Sequence, residues 1–149
     1  MPLMGRISNI SRGSLHDGDG IRTVVYFKGC PMRCMWCHNP ETFSSAMNVM
    51  YFSRKCIACG ECIKICPDCL SVEDDELIFN RDKCTNCGKC AEVCPTGALS
   101  LCGETKTVDD LFEIVAKDLH YYKQSGGGVT LSGGECLMKA DFSAAILKK

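Results

Sequence analysis

A repeated cysteine pattern constrains this chain more than any other feature of its sequence. Residues 56–67 have the spacing CxxCxxCxxxCP, and residues 84–95 have the same spacing. In each copy a glycine, Gly60 or Gly88, lets the backbone turn tightly between cysteines, and the final proline ends the loop. Two such loops predict a segment that folds around metal-bound sulfur.

Cysteine usage in the whole chain agrees with metal binding. The chain has 14 Cys among 149 residues, a level that in a short secreted protein would indicate a disulfide scaffold. Residues 1–10 have no apolar signal-peptide core, and no apolar run approaches transmembrane length. We therefore predict a cytoplasmic protein whose thiols stay reduced. A net charge of -1 with interspersed signs predicts no nucleic-acid partner and no anionic membrane surface.

The two runs resemble those of bacterial ferredoxins that bind two [4Fe-4S] clusters. In such proteins three cysteines of one run and the fourth of the other share a cluster. The predicted ligand sets are Cys56, Cys59, Cys62 and Cys94 for one auxiliary cluster, and Cys84, Cys87, Cys90 and Cys66 for the other. Zinc is the alternative, because zinc sites with four cysteine ligands also use CxxC pairs. The third cysteine and the CP ending, present in both runs, favour iron and sulfur.

A third cysteine group has a different spacing. Cys30, Cys34 and Cys37 form CxxxCxxC directly after residues 21–28 (IRTVVYFK), which are rich in β-branched and aromatic residues and predict a buried strand. Three cysteines can hold three irons of a cubane and leave the fourth open, as catalytic metal sites keep one position for substrate or cofactor. A three-cysteine zinc loop or chance clustering is the alternative.

This third group resembles the signature of the radical S-adenosylmethionine (SAM) enzymes, in which the open iron binds the methionine part of SAM. Trp36, just before the last cysteine, fits that signature as a cofactor-site residue; packing against the barrel is the other interpretation. Gly133, Gly134 and Glu135 follow a second predicted strand, residues 129–132, and resemble the GGE motif that holds the SAM amino group. Glycines there would let the cofactor approach the backbone closely.

The match extends over essentially the whole chain. Residues 15–23 (LHDGDGIRT), the WCHNPE run, the two-cluster insert and GGGVTLSGGE together resemble the glycyl-radical-enzyme activating enzymes, in the subgroup with a ferredoxin-like insert. The resemblance assigns Asp17 a contact with the glycine loop of the partner enzyme, whereas a turn-forming role is the alternative. Asp19 stands where relatives usually have proline, and Cys136 stands where many have proline after the glutamate.

The resemblance implies a radical SAM oxidoreductase. Such an enzyme reductively cleaves SAM at a [4Fe-4S] cluster to a 5'-deoxyadenosyl radical, which abstracts hydrogen from a backbone glycine of a partner glycyl radical enzyme. The implied cofactors are SAM and three [4Fe-4S] clusters, one binding SAM and two auxiliary, with flavodoxin or ferredoxin as the electron donor. The alternatives are a ferredoxin-type electron carrier and another radical SAM enzyme with auxiliary clusters. An anaerobic ribonucleotide reductase activase is disfavoured, because such proteins lack the paired ferredoxin motif.

The predicted fold class is α/β. We expect the N-terminal part of a radical SAM partial (β/α)6 barrel in residues 1–52 and 103–149, interrupted by an α+β ferredoxin-like domain in residues 53–102 that includes a hairpin over residues 72–80. Thr107 and Asp110 predict a helix start, and the glycines at 126–128 predict its end. A last helix follows the GGE motif, and the chain is expected to be C-terminally truncated. Outside the three groups, the remaining thiols are expected to be small buried or incidental residues: Cys69, Cys102 and Cys136.

Overall fold

The structure, a computed structural model, describes residues 2–149 as two compact units. The larger unit contains Met1–Ala46 and Gly103–Lys149, and the smaller contains Met47–Cys102. The strands are β1 (Met4–Ser14), β2 (Arg22–Phe27), β3 (Asn48–Tyr51), β4 (Leu70–Glu73), β5 (Glu76–Phe79), β6 (Leu99–Cys102), β7 (Glu104–Thr107) and β8 (Gly128–Gly133). The helices are α1 (Glu61–Ile65), α2 (Lys89–Glu92), α3 (Val108–Ala116), α4 (Leu119–Ser125) and α5 (Ala140–Lys148). Among residues 2–149, no helix combines the length and apolar character that crossing a membrane requires.

A four-stranded mixed sheet in the order β7-β1-β2-β8 forms the larger unit. Strand β1 is antiparallel to both β2 and β7, whereas β2 and β8 are parallel. The parallel register pairs Tyr26 with Ser132 and Phe27 with Gly133. The segments that follow these two strands therefore emerge at the same edge of the sheet. Both predicted strands, 21–28 and 129–132, are confirmed.

Strands β1 and β7 were not predicted from the sequence. Strand β1 has polar or glycine residues at most positions and only Ile7 and Ile10 as aliphatic residues on its core side. Its extended conformation is fixed by pairing on both sides rather than by its own apolar pattern. The observed α/β structure is therefore mixed where parallel βα repeats were expected, and the barrel itself remains a prediction.

The two faces of this sheet differ in character. One face packs against helices, where Phe27 and Phe142 meet edge to face with ring centroids 5.9 Å apart. The buried core on that side consists of Ile7, Val25, Phe27, Leu111, Val115, Phe142 and Ile146. Because side chains alternate along a strand, the opposite face carries the intervening residues, including Arg22, Tyr26, Thr130 and Ser132. The sheet thus has an apolar helix-covered face and a second face rich in polar groups.

The segment after β7 begins as predicted but is interrupted. The Thr107 hydroxyl accepts a bond from the Asp110 N–H at 3.1 Å, and the Asp110 carboxylate accepts one from the Thr107 N–H at 2.8 Å. Instead of one helix to the glycine run, α3 and α4 are separated around Asp118. The Asp118 carboxylate accepts a 2.8 Å bond from Arg12 and a 2.6 Å bond from the buried Thr23 hydroxyl. A tertiary ion pair therefore accompanies the break that sequence periodicity did not reveal.

The smaller unit contains two antiparallel strand pairs, β3 with β6 and β4 with β5. The predicted hairpin is confirmed, and its turn residues Asp74 and Asp75 have φ values of 48° and 62°. Positive φ at both central residues is the type I′ geometry that suits two-residue hairpins. The unit begins at Met47 rather than near residue 53, because β3 pairs with β6 from Asn48 opposite Cys102 onward.

Candidate functional site

The CxxxCxxC loop leaves the sheet directly after β2. Gly29 has a φ of 100°, which favours glycine, and its N–H donates to the Thr42 carbonyl at 2.7 Å. The Cys30 N–H donates to the Phe43 carbonyl at 3.3 Å. Both ends of the loop are therefore held together, with Thr42 fully buried. Cys30, Cys34 and Cys37 are each partly exposed, as a ligand-binding loop requires.

The aromatic residue of this loop does not pack against the unit. Trp36 is 78% exposed and the preceding Met35 is 97% exposed. Packing of Trp36 is not observed within the larger unit, and its packing against a barrel stays a prediction, as the barrel does. Its assignment to the SAM site remains a prediction.

The GGE motif lies against the start of the cysteine loop. The Gly134 N–H donates to the Phe27 carbonyl at 2.8 Å, and the Glu135 N–H donates to the Gly29 carbonyl at 2.9 Å. These two bonds continue the parallel pairing of β2 with β8 beyond the last strand residues. The structure thus brings together two sequence motifs that are roughly a hundred residues apart in the chain.

The glycines of this motif are required by backbone packing. A Cβ on Gly133, whose φ is 88°, would lie 2.6 Å from the Phe27 nitrogen. A Cβ on Gly134 would lie 2.4 Å from the Gly29 carbonyl oxygen. Sequence reasoning attributed the glycines to close approach of a cofactor, whereas the structure shows close approach of β2. This requirement exists whether or not a cofactor is bound.

We expect Gly134→Ala to lower the free energy of unfolding by about 1 to 3 kcal/mol, the usual range for overpacking a well-packed site. The added methyl would meet a backbone carbonyl, which cannot move aside as a flexible side chain can. Gly128→Ala is the matched control at the other end of β8, since its Cβ would approach nothing closer than 3.6 Å, an Arg22 nitrogen. Urea unfolding of both variants measures the difference, and equal midpoints would show that the close approach costs nothing.

The Glu135 carboxylate already has a structural partner. Its Oε1 atom accepts a 2.8 Å bond from the Leu137 N–H, which caps a short 3-10 helix at Cys136–Lys139. A carboxylate has two oxygens and about four acceptor positions. Glu135 can therefore hold this helix start and still accept a bond from an ammonium group.

Asp17 lies in the loop between β1 and β2, away from the cysteine loop in sequence. Its carboxylate accepts a bond from the Ser14 hydroxyl, and its backbone carbonyl accepts one from the Thr130 hydroxyl at 2.9 Å. Thr130 precedes Gly133 in β8 by three residues, about 10 Å along a parallel strand. Burial, and then the Asp17 charge, raise the pKa of Tyr26. Asp17 is therefore anchored at the polar face of the sheet rather than in the cysteine loop.

In the smaller unit, one predicted ligand set lines a single pocket. Cys56, Cys59, Cys62 and Cys94 surround it together with apolar residues. Burial raises the pKa of the Cys62 thiol, and the charges of the other three sulfurs of this set raise it further. The first three cysteines of one repeat thus face the last cysteine of the other.

The second predicted set likewise combines cysteines from both repeats. Burial raises the pKa of the Cys90 thiol, followed by the charges of Cys66 and Cys84. Cys90 lies on α2 and Cys66 follows the end of α1, and these two helices pack together. Gly60 and Gly88, with φ of 77° and 80°, precede these helices at equivalent positions. The internal repeat is therefore a structural repeat as well.

All three cysteine loops share an unusual backbone position. The residue directly before the second cysteine is left-handed in each case: Arg33 with φ 51°, Ala58 with φ 51° and Asn86 with φ 56°. For residues other than glycine this conformation costs roughly 1–2 kcal/mol, less for Asn. In the third of these loops a hydrogen bond helps to offset the cost, since Asn86 Oδ1 accepts a 3.0 Å bond from the Val49 N–H. Sequence spacing alone contained no signal of this shared geometry.

The donor chemistry of both sets suits iron–sulfur clusters, which are held by cysteine thiolates. Burial alone would raise the pKa of the Cys94 thiol, but hydrogen bonds from Leu99, Thr96 and Ala98 lower it. Such bonds stabilise a thiolate ligand. Within residues 2–149, no three His, Cys, Asp or Glu side chains are gathered as closely as a single metal ion requires.

The three cysteines outside the predicted sets differ in burial. Cys69 is buried, whereas Cys102 and Cys136 are half-buried. Burial, followed by the Cys66 sulfur, raises the pKa of the Cys69 thiol to about 11. Burial, followed by the Glu135 charge, raises the pKa of Cys136. Burial thus favours the protonated form of both thiols.

The chain is similar in sequence to a known domain family and to several characterised proteins. Residues 77–100 match the family model described as a 4Fe-4S binding domain. The chain is 41% identical over 145 residues to the choline trimethylamine-lyase activating enzyme of Oleidesulfovibrio alaskensis, covering 95% of this chain and 47% of the relative. It is 44% identical over 143 residues to the trans-4-hydroxy-L-proline dehydratase activating enzyme of Clostridioides difficile, covering 95% and 47%.

A third relative has the same kind of name. The chain is 41% identical over 146 residues to the pyruvate formate-lyase 2-activating enzyme of Escherichia coli, covering 98% of this chain and 41% of the relative. The resemblance to glycyl-radical-enzyme activating enzymes is confirmed. The chain spans about half the length of the activating enzymes that it matches.

Proposed function

We propose that the protein activates a glycyl radical enzyme. The observation that supports this most is the pair of backbone bonds from Gly134 and Glu135 to the end of β2, which sets the GGE motif beside the Cys30 loop. In this proposal, the motif that would bind the SAM amino group and the three-cysteine loop thus lie side by side at one edge of the sheet. The similarity to activating enzymes over 95% of this chain points to the same function.

In this proposal Cys30, Cys34 and Cys37 hold a [4Fe-4S] cluster with one iron left for SAM. When bound, this cluster and SAM supply reductive cleavage to methionine and a 5'-deoxyadenosyl radical, which takes hydrogen from a backbone glycine of the partner. The chain itself binds, orients and shields these groups. The bonds at Gly29 and Cys30 fix where the loop that would hold this cluster begins.

Glu135 is the proposed partner of the SAM amino group. The N–H groups of Gly134 and Glu135 are already used in bonds to β2, so they do not donate to a cofactor. The carboxylate retains acceptor capacity beyond its bond to Leu137. A positively charged amino group beside the cysteine loop would meet this acceptor. We infer that Gly133 and Gly134 position Glu135, and that the Gly134 N–H does not contact SAM.

The smaller unit is proposed to carry two auxiliary [4Fe-4S] clusters. Its match to a 4Fe-4S binding domain over residues 77–100 supports iron–sulfur binding, and its two crossed cysteine sets are the reason for proposing two clusters. Cluster potentials depend on charge, hydrogen bonds to sulfur and exposure, so the two sites could pass electrons from a flavodoxin or ferredoxin. In this proposal, the larger unit is part of a radical SAM partial barrel, of which β2 and β8 are the first parallel strands.

Product formation distinguishes this function from a ferredoxin-type electron carrier. Anaerobically reconstituted and reduced protein is incubated with SAM, and 5'-deoxyadenosine is measured by liquid chromatography. We expect its formation at a rate that increases with protein concentration. A protein that loads all its iron, accepts electrons and forms no 5'-deoxyadenosine would be a carrier, and the proposal would fail.

The partner role of Asp17 is tested separately. We expect Asp17→Ala to reduce glycyl radical formation about tenfold or more, because a charge-assisted bond to the substrate backbone is worth about 1.5–3 kcal/mol. Electron paramagnetic resonance of the partner measures the radical. Partner-free cleavage of SAM should change little. Asp19→Ala removes the same charge from an exposed position of the same loop and is the matched control.

Three other outcomes contradict this role of Asp17. If radical formation and partner-free cleavage fall together, Asp17 supports the fold or the cofactor site through its bonds to Ser14 and Thr130. If neither falls, Asp17 only forms a turn. An equal loss in the Asp19→Ala control would assign the effect to the general charge of the loop.

A further inference from the structure

Cys69 has no role in the function proposed above, yet it lies beside one of the two auxiliary ligand sets. Its side chain is buried, and its sulfur donates a bond to the Lys83 carbonyl at 3.1 Å. Lys83 directly precedes Cys84, the first cysteine of that set. Cys66 and Cys84 pack in the same apolar cluster as Cys69. The Cys69 side chain therefore lies in the neighbourhood of two predicted ligands of this site.

The internal repeat shows that this extra thiol is particular to one site. After Cys66 the chain reads Pro-Asp-Cys, whereas after Cys94 it reads Pro-Thr-Gly. The turns are alike, because the Cys69 N–H donates to the Cys66 carbonyl at 3.2 Å and the Gly97 N–H donates to the Cys94 carbonyl at 3.3 Å. Gly97 offers no ligand. The two sites thus differ by one sulfur at an equivalent position.

The backbone holds Cys69 close to the position of Cys66. The Leu70 N–H donates to the Cys66 carbonyl at 3.0 Å, and the Asn80 N–H donates to the Cys69 carbonyl at 2.8 Å. The residue therefore sits between a tight turn and the first pair of the β4–β5 hairpin. Little conformational entropy is lost when a side chain already buried in this way takes a new partner.

We propose that Cys69 is a reserve ligand for the cluster held by Cys84, Cys87 and Cys90, able to replace Cys66 as the fourth ligand. In the exchange the Cys69 thiol gives up its proton and its bond to Lys83, and its sulfur bonds to iron. The bond between iron and the Cys66 sulfur breaks, and Cys66 takes up a proton. No oxidation state changes, so no oxidant or reductant is needed. This inference rests on the proposed auxiliary clusters.

The test compares cluster loading in four proteins: wild type, Cys66→Ala, Cys94→Ala and the double variant Cys66→Ala/Cys69→Ala. Each is reconstituted anaerobically, and iron and labile sulfide are counted per chain. We expect Cys94→Ala to lose one cluster, since Gly97 cannot substitute for it. We expect Cys66→Ala to keep its iron, and the double variant to lose four irons. Electron paramagnetic resonance of the reduced proteins shows an altered signal for Cys66→Ala, because the geometry around one iron has changed.

Other results overturn the inference. Loss of the same cluster in Cys66→Ala as in the double variant would show that Cys69 does not reach the iron. Retention of iron in the double variant would show that the fourth ligand is not Cys69. The same conclusion would follow if electron paramagnetic resonance of the oxidised double variant showed a three-iron cluster. Far-ultraviolet circular dichroism of Cys69→Ala alone shows whether removing this thiol unfolds the unit. A wild type without iron in these sites would instead refute the auxiliary clusters, which separates the two failures.

Discussion

Cys34→Ala is expected to remove one [4Fe-4S] cluster and all cleavage of SAM. The variant should contain four fewer irons per chain than wild type and form no 5'-deoxyadenosine above background. The physical reason is that three cysteines hold three irons, and a cubane with only two protein ligands is not retained at an exposed loop. The loop should survive the change, because its anchoring bonds are made by Gly29, Cys30 and Thr42 rather than by the Cys34 side chain.

A cysteine from an auxiliary set is the control for this prediction. Cys59→Ala removes an exposed ligand of the pocket-lining set and should also cost one cluster. With dithionite as a direct reductant, SAM cleavage by Cys59→Ala should remain, whereas that of Cys34→Ala should not. Iron analysis and chromatography of 5'-deoxyadenosine measure both. Bound zinc in place of iron, or undiminished cleavage by Cys34→Ala, would refute the assignment of the open cluster.

Asp118→Ala is expected to lower the free energy of unfolding of the larger unit by about 2–4 kcal/mol. The Asp118 side chain is buried and accepts bonds from Arg12 and from the fully buried Thr23 hydroxyl. Its removal leaves that hydroxyl without an acceptor, and an unsatisfied buried polar group costs about 1–3 kcal/mol in addition to the lost charge-assisted bond. Glu104→Ala breaks an exposed pair with Lys106 and should cost about 0–1 kcal/mol.

The same carboxylate predicts a pH dependence. Bonding to Arg12 lowers the pKa of Asp118 from its usual value, against the opposing effect of burial, and the Thr23 bond lowers it further. A lowered pKa in the folded state means that the stabilisation is fully present above the unfolded-state pKa of about 3.9. It is lost as pH falls through the folded-state value. Urea midpoints of wild type and Asp118→Ala should therefore differ most near pH 7, and the difference should narrow as pH falls below about 4; a constant difference would contradict the ion-pair explanation.

Local signals in the sequence predicted much of this structure. The strand at 21–28 follows from consecutive β-branched and aromatic residues, and the capping box at Thr107 follows from two residues three positions apart. The hairpin follows from an acidic pair between short apolar runs. The crossed cysteine sets were predicted from the resemblance of the two runs to those of bacterial ferredoxins. The strand, capping and hairpin patterns are each contained within a few residues.

What the sequence did not reveal depends on residues far apart in the chain. Strand β1 is extended because it pairs on both edges. Strand β3 belongs to the smaller unit because it pairs with β6. The break before α4 coincides with an ion pair between Asp118 and Arg12, which are 106 positions apart. The packing role of Gly134 likewise depends on Gly29. A local pattern contains no information about such partners.

The parallel pairing of β2 with β8 has a consequence for the order of events during synthesis. The partners Phe27 and Gly133 are separated by roughly a hundred residues, and a ribosome adds about 5–20 residues per second. Cys30 therefore leaves the ribosome many seconds before the strand that completes its surroundings exists. All pairings of the smaller unit lie within Met47–Cys102, so that unit can fold during this interval. The nascent chain consequently presents an exposed three-cysteine loop at a time when the smaller unit can already be folded.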